Sequence, residues 1–234
     1  MSTQDPVILI SNESKVVTAS DLESVIAPLQ RQIDDQFFPL WGWRAELVLA
    51  DTADRARGMK VIIRDRSDEA GALGYHFKDG LPITYIFAKD DIEDSGEYTS
   101  TLSHELLEMI ADPGVNLYAR GPVKLKGETR PRMGWVSYEV CDPVEGNLYD
   151  IDGVKVSNFV TPEYFEAEHK RGSLQFDFLN VVDRPFQVAA GGYLDVMVAS
   201  RWRTLWGRKA ASKRFRHRLL ARKNIKSAGS AIRR

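Results

Sequence analysis

The residues of this chain that could carry out chemistry are concentrated in one short stretch, residues 103–113. This stretch contains one histidine and three carboxylates, and His104, Glu108 and Asp112 follow one another at intervals of four residues. On an α-helix such residues lie in one row, because four residues advance the direction by only about 40° beyond a full turn. Imidazole and carboxylate groups in one row are suited to hold a metal ion. The spacing therefore predicts a metal-binding helix, with a surface helix whose acids face water as the alternative.

The spacing also matches the His-Glu-x-x-His helix of zinc metallopeptidases, with Glu108 in place of the second histidine. In such helices the first and fifth residues bind the metal, and the glutamate after the first histidine activates a metal-bound water. The pattern predicts His104 and Glu108 as metal ligands and Glu105 as the general base. Zinc is the expected ion. Because an oxygen replaces a nitrogen, manganese, magnesium or calcium, or a helix without metal, remain alternatives.

A second group of acids, in residues 135–152, could complete the coordination of a metal. Zinc sites built on a helical pair take a third ligand from elsewhere in the chain, and Glu139 or Asp142 could supply it. Glu139 stands in an apolar, strand-like run, where a carboxylate needs a partner. Asp142 precedes a proline and could instead serve only a turn. The same ambiguity applies to Asp112, which also precedes a proline.

The elements before the candidate helix predict how it is positioned. Residues 20–38 have helical periodicity, with Ser20 or Asp21 as the expected N-cap. Strands rich in Val, Ile and Leu are predicted at residues 45–50, 59–63, 71–77 and 83–88. The order predicts an α+β, zincin-like fold, in which a twisted mixed sheet is backed by the N-terminal helix and the metal-bearing helix.

Two further predictions concern His76 and residues 120–132. His76 is expected to be a partly exposed strand histidine, with a position beside a substrate cleft as the alternative. Residues 120–132 contain two glycines and two prolines, so they are expected to be a flexible connection rather than a long regular element.

Three segments carry a combined pattern: Leu-Ser-His-Glu-Leu-Leu-Glu-Met-Ile-Ala-Asp-Pro at 102–113, Glu-Val-Cys-Asp-Pro-Val-Glu at 139–145, and Val-Ser-Asn-Phe-Val-Thr-Pro-Glu-Tyr-Phe at 156–165. Together they resemble a family of uncharacterised zincin-like proteins found in bacteriophages and bacterial genomes. The resemblance covers about residues 20–180. It implies a metallopeptidase-like fold with His104, Glu105 and Glu108 at the matching helix positions. It implies no particular substrate, and related folds can keep a metal for structure alone or lose it.

Composition limits the remaining possibilities. With 234 residues, of which 43% are hydrophobic, the chain is expected to form one domain over residues 1–200 with an extension. Cys141 is the single cysteine, so an internal disulfide is excluded, and a buried structural thiol is expected there. The sequence shows neither a signal peptide nor an apolar run of membrane-spanning length. A cytoplasmic or virion-associated location is therefore expected.

The net charge of −1 hides a strong division between the body and the C-terminal end. Residues 201–234 contain thirteen of the 32 basic residues and no acidic residue, which leaves the first 200 residues near −14. This end is predicted to be a basic arm, helical over 209–226 and disordered over 227–234. It could bind nucleic acid, an anionic membrane surface, or the acidic body or a partner subunit.

Two functions from different classes follow from these patterns. In the first, the chain is a metal-dependent peptidase whose ion is held by His104, Glu108 and a further acid, with Glu105 as general base and Tyr138 near the oxyanion. In the second, it is a non-catalytic structural or assembly component, such as a virion protein, whose basic arm binds nucleic acid or a partner subunit. The missing second histidine favours the second function, and the presence of Glu105 favours the first.

Overall fold

The computed structural model describes residues 5–50, 58–69 and 72–207, and the helix and disordered end predicted after residue 208 lie outside these ranges. The described chain is α+β with a mixed sheet, as the sequence predicted. Its strands are β1 (Val7–Asn12), β2 (Glu46–Leu49), β3 (Met59–Arg64), β4 (Gly74–Asp79), β5 (Leu81–Phe87), β6 (Tyr118–Val123), β7 (Arg132–Ser137), β8 (Leu148–Ile151), β9 (Val154–Ser157), β10 (Tyr193–Val198) and β11 (Arg201–Trp206). Its α-helices are α1 (Ala19–Arg31), α2 (Phe38–Trp41), α3 (Ala88–Ser95) and α4 (Thr99–Ala111).

The first sheet has the strand order β2-β1-β3-β5-β4. Four strands run parallel, and β4 lies at one edge, antiparallel to β5. β2 to β5 are the four strands that the sequence predicted, displaced at their ends by up to about three residues. β1 is a strand that the sequence analysis missed, because its apolar run is only four residues long. It is nevertheless paired on both sides, by β2 and β3, and its residues Ile8 and Ile10 are buried in the hydrophobic core.

The helix predicted for residues 20–38 is present, but it is not regular along its length. α1 continues as a π-helical stretch, Gln32–Phe37, and then as α2. The prediction of Ser20 or Asp21 as N-cap is wrong, because the cap is Thr18. The Thr18 hydroxyl accepts a hydrogen bond from the Asp21 N–H, and the Asp21 carboxylate accepts one from the Thr18 N–H, which forms a capping box.

α4 is buried on all sides. Each of its residues from Ser100 to Ala111 is buried, since β4 and β5 pack against one side and β9 against another. The alternative of a surface helix is therefore wrong. A polar network fixes the helix in place: the Ser103 hydroxyl donates to Gln32 Oε1 at 2.7 Å and accepts from the Ser157 N–H at 3.0 Å. Gln32 in turn donates to the carbonyl of Ser157 at 2.9 Å.

The second sheet is antiparallel, with the order β11-β10-β7-β6. Its strand β6 begins at Tyr118, so the flexible connection predicted for 120–132 is wrong over its first part. Pro122 is tolerated there because β6 is an edge strand, where a missing N–H breaks no ladder. Residues 201–206, which the sequence assigned to the basic arm, form β11 and pair with β10. Among the described residues, the helices lack the length and apolar character needed to cross a membrane.

We expect Ser103→Ala to lower the free energy of unfolding by about 1–3 kcal/mol, because it leaves the buried Gln32 oxygen and the Ser157 N–H without this partner. The measurement is the urea midpoint followed by far-UV circular dichroism. Ser24→Ala is the matched control, since the Ser24 hydroxyl donates only to a carbonyl on the exposed face of α1. A loss no larger than that of the control would contradict the anchoring role of Ser103.

Candidate metal centre

α4 places the predicted pair side by side in the interior. Nε2 of His104 lies 3.1 Å from Oε1 of Glu108, one turn further along the helix. The same nitrogen lies 3.2 Å from Oδ1 of Asp142, which belongs to the 3₁₀ turn after β7. The exposed fractions of the three side chains are at most 2%. Three groups able to ligate a metal therefore converge from two separate parts of the chain.

Cys141 adds a thiol to this group. Its Sγ lies within 4.8 Å of the ligand atoms of His104 and Glu108, and its backbone N–H donates to Glu108 Oε1 at 3.3 Å. The thiol is fully buried, as predicted. Burial, and then the negative charge of Glu108, raise the pKa of Cys141 well above its usual value. A cation bound at this point would oppose both effects, because it favours the thiolate.

His76 on β4 brings a second imidazole into the site, whereas the sequence analysis offered only a position beside a substrate cleft as an alternative to partial exposure. Its Nδ1 lies 2.9 Å from Oε2 of Glu105 and 3.9 Å from Oε2 of Glu108. Its Nε2 lies 3.7 Å from Oε2 of Glu139. The residue is only 4% exposed, so the prediction of a partly exposed strand histidine is wrong. β4 is a sheet edge, but α4 covers the face on which His76 lies.

The sequence contained a signal for this position. In β4, His76 shares a face with Gly74, whereas Tyr75 points to the opposite face and packs in an aromatic cluster. A Cβ at Gly74 would lie 2.8 Å from Cγ2 of Thr101 and 3.2 Å from Cγ of Glu105. The glycine thus permits a close approach of α4 to β4. A glycine two residues before a histidine on a strand indicates that a neighbouring element covers that face.

The structure separates the predicted acids into different positions. Glu108 belongs to two overlapping sets, His104–Glu108–Cys141 and His76–Glu105–Glu108. Asp142 contacts His104 of the first set, and Glu139 contacts His76 of the second, but neither acid belongs to either set. Asp112, at the end of α4, uses its Oδ2 to accept the N–H of Leu117 at 2.8 Å. This hydrogen bond fits the role of a turn residue.

The electrostatics of this region are unusual because many carboxylates are buried close together. Glu105, Glu108, Asp112, Glu139 and Asp142 are each at most 4% exposed. Among the buried side chains of the described residues, the charged types are carboxylates and histidines, with no lysine or arginine. Burial raises the pKa of Asp112, and the charge of Glu139 raises it further, while the hydrogen bond from Leu117 opposes the shift. Such a group needs protons, imidazolium or a metal cation to balance its charge.

Tyr138, the expected oxyanion partner, lies mainly in an aromatic cluster. Its ring stacks on Phe165 at a centroid distance of 4.1 Å and meets Trp41 edge-on at 5.6 Å. Burial raises the pKa of Tyr138 to about 12, with a smaller contribution from nearby acids. The phenol is therefore neutral at physiological pH and could only donate or accept a hydrogen bond.

No protein-family model, curated protein or solved structure matches this chain. The site must therefore be interpreted from its own chemistry.

We expect Gly74→Val to disrupt the site, although Gly74 itself carries no group that could bind a metal. The added side chain would meet Thr101 and Glu105, so α4 and β4 would move apart and the contact between His76 and Glu105 would lengthen. Overpacking of this kind costs about 1–3 kcal/mol. The measurement is the urea midpoint, together with the imidazole NMR shifts of His76. Lys78→Val, at an exposed position four residues along the same strand, is the control. Equal effects of the two substitutions would contradict the close packing of α4 on Gly74.

Proposed function

We propose that this chain is a metal-dependent hydrolase of the peptidase type, with zinc held by His104, Glu108 and Asp142. The observation that carries the proposal is the convergence of Glu108 and Asp142 on Nε2 of His104, at 3.1 and 3.2 Å. The first contact comes from the helical spacing of four residues, and the second comes from a distant segment. Two helical ligands and one from elsewhere in the chain are the usual composition of a catalytic zinc site.

The position of Cys141 supports zinc over the harder ions. A set of one imidazole and two carboxylates alone would also suit manganese or calcium. A thiolate next to His104 and Glu108 would favour zinc, because it is a soft ligand that zinc accepts and calcium does not. As a fourth protein ligand it would also close a tetrahedral site, so Cys141 supports the identity of the ion and not catalysis. Manganese and calcium remain alternatives if the thiol stays protonated.

A zinc ion held by His104, Glu108 and Asp142 would supply Lewis acidity toward a peptide carbonyl and toward water. Glu105 accepts a proton from that water as its oxygen attacks the carbonyl carbon, and it gives the proton to the amine that leaves when the C–N bond breaks. His76 holds Glu105 in place through the 2.9 Å contact between Nδ1 and Oε2. His76 is therefore a positioning residue. β4 therefore brings a second imidazole, that of His76, close to α4, although His76 does not occupy the fifth position of the helical motif.

The zincin-like assignment is part of the same proposal. It is supported by the order of the elements, since a mixed sheet of five strands lies behind α4 and the antiparallel strand β4 borders it. It is also supported by the resemblance of residues 102–113, 139–145 and 156–165 to zincin-like proteins of phages and bacteria. The peptide substrate follows from this resemblance and from the chemistry of a metal with a nearby carboxylate base.

A specific observation favours a second candidate, a non-catalytic structural or assembly component such as a virion protein. The ligand groups are at most 5% exposed, and structural zinc sites are closed, whereas catalytic sites keep one position open to water and substrate. In this case the metal would balance the buried carboxylates and add to the stability of the fold. Metal binding is common to both candidates, so it is tested first.

We expect the purified chain to contain close to one zinc ion, measured by plasma mass spectrometry, and to lose it in His104→Ala and Glu108→Ala. The matched controls are His169→Ala and Glu166→Ala, since these residues form an exposed pair outside the site, at 2.6 Å. Removal of the ion from the parent chain by a chelator should lower the melting temperature, because binding to the folded state alone stabilises it. This measurement does not depend on the folding of the variants.

A parent chain without any transition metal would overturn the zinc proposal. A parent chain that contains manganese or calcium would support the metal site but would assign it to that ion instead of zinc. Zinc retained equally in the two site variants and in the two controls would place the ion elsewhere.

Hydrolysis is tested separately with Glu105→Gln. We expect this variant to keep its zinc and to lose about 10²- to 10⁴-fold in kcat on a quenched fluorescent peptide library, because the amide cannot accept the proton. Glu166→Gln is the control. His76→Ala should reduce kcat less and should shift the pH profile, as expected for a residue that orients the base.

The result also separates the two candidates. A parent chain that holds zinc and is stabilised by it, but cleaves no peptide, would favour the structural component. Loss of zinc in Glu105→Gln would mean that Glu105 is a ligand and not the base.

A further inference from the structure

The second sheet carries a row of side chains that the proposed hydrolase does not use. The register places Arg120 of β6 opposite Trp135 of β7, Trp135 opposite Met197 of β10, and Met197 opposite Trp202 of β11. Directly opposed residues of antiparallel strands lie on the same face. These four residues therefore form one row across all four strands, which we call the aromatic face. Met133, two residues from Trp135, extends it along β7.

The aromatic face is open to solvent over much of its area. Trp135 is 46% exposed, Met133 52% and Tyr118 39%. The rings of Tyr118 and Trp202 lie 5.7 Å apart, although their strands are the two edges of the sheet. The sheet therefore curves towards this face. Contiguous exposed apolar side chains of this kind mark an interaction site rather than an ordinary protein surface.

The charges around the aromatic face are opposite to those of the body. Residues 118–137 contain five basic residues and one acid, Glu128, which is paired with Arg132 at 2.8 Å. The five basic side chains are exposed, and Arg120 lies on the aromatic face itself. Arg132, Arg201 and Arg203 point to the opposite side of the sheet, and the acid on the aromatic face, Asp195, is buried. The chain that follows, residues 208–234, has eleven basic residues and no acid. Arg120 and the basic β6–β7 connection thus lie beside the aromatic face, in a protein whose first 200 residues are near −14.

We infer that the aromatic face binds single-stranded nucleic acid. Unpaired bases stack on exposed aromatic side chains of a sheet, and the phosphates follow basic side chains beside them. Trp135 and Trp202 supply the stacking surfaces, and Arg120 and the exposed lysines of the β6–β7 connection supply the cations. A duplex does not fit, because its bases are already stacked and cannot reach a ring on a sheet. This inference does not depend on the metal site.

Charge argues against a second copy of the chain as the occupant. A two-fold interface would place this surface against itself, so that the same basic residues of both copies would meet. Nucleic acid has the complementary charge and the planar groups that the row requires. The eleven basic residues after the sheet would add phosphate contacts without sequence preference.

The test is fluorescence anisotropy with the full chain and three labelled probes of about 20 nucleotides: oligothymidylate, oligouridylate, and a DNA duplex. We expect binding to one or both single strands, with a loss of about five- to a hundredfold in affinity for Trp135→Ala, equivalent to the stacking of one base. Trp135→Phe should restore most of it. Arg120→Ala should reduce the slope of log affinity against log salt by about one, over about 50 to 200 mM.

Trp43→Ala is the matched control, because Trp43 is 41% exposed and belongs to the turn between α2 and β2. Circular dichroism and the melting temperature show whether each variant is folded, and Met133→Ala provides a second change on the same face. A preference for oligothymidylate would identify the ligand as single-stranded DNA, and a preference for oligouridylate would identify it as single-stranded RNA.

Several outcomes would overturn the inference. Equal affinity of Trp135→Ala, Met133→Ala and Trp43→Ala would assign the binding to the basic sequence alone. Tighter binding of the duplex would exclude stacking. Self-association in sedimentation that Trp135→Ala abolishes would assign the face to a second copy. Binding to phosphatidylserine vesicles without binding to either single strand would assign it to a membrane surface.

Discussion

The burial of several carboxylates close together is the constraint on which the rest of the structure depends. Glu105 and Glu108 are fully buried, and Glu139 and Asp142 lie close to the two imidazoles that face them. Charges in a low-dielectric interior are costly unless opposite charge or hydrogen bonds compensate them. The elements around α4 must therefore place their charged and hydrogen-bonding groups so that each carboxylate has a partner.

Three uncharged interactions position the residues of the site. Gly74 lets β4 approach α4, Ser103 joins α4 to Gln32 of the π-helical stretch, and the same serine accepts the N–H of Ser157. Each of these interactions involves a residue that lies within two positions of a site residue or contacts one directly. The rigidity of the site is thus built from backbone approach and neutral hydrogen bonds. These interactions are neutral, so their strength depends little on the charge state of the site.

Much of the fold and of the candidate site could be predicted from local sequence patterns, whereas features that depend on long-range contacts could not. His104 and Glu108 could be paired because helical spacing is a local property. The strands β2 to β5 followed from apolar runs in the same way. His76 was correctly assigned to a strand, but its burial was not predicted, because Gly74 signals a close approach without showing which element makes it. β1 was missed because a run of four apolar residues becomes a strand only through its two neighbours, and β6 was missed because Gly121 and Pro122 are tolerated at an edge. The cap of α1 lay two residues earlier than expected, since Thr18 and Asp21 act as a pair.

The turn that carries Asp142 has a consequence for how the protein is made. Its position depends on residues far along the chain: the Ala189 N–H donates to the carbonyl of Pro143, and β10 packs against the turn. β10 must also pair with β7 before the second sheet exists. During synthesis, α4 therefore emerges from the ribosome some 80 residues before the strand that supports Asp142, an interval of about 4 to 16 seconds at usual elongation rates. In the proposed zinc site α4 supplies only His104 and Glu108, so all three ligands would be in position only after nearly the whole of residues 5–207 has been translated.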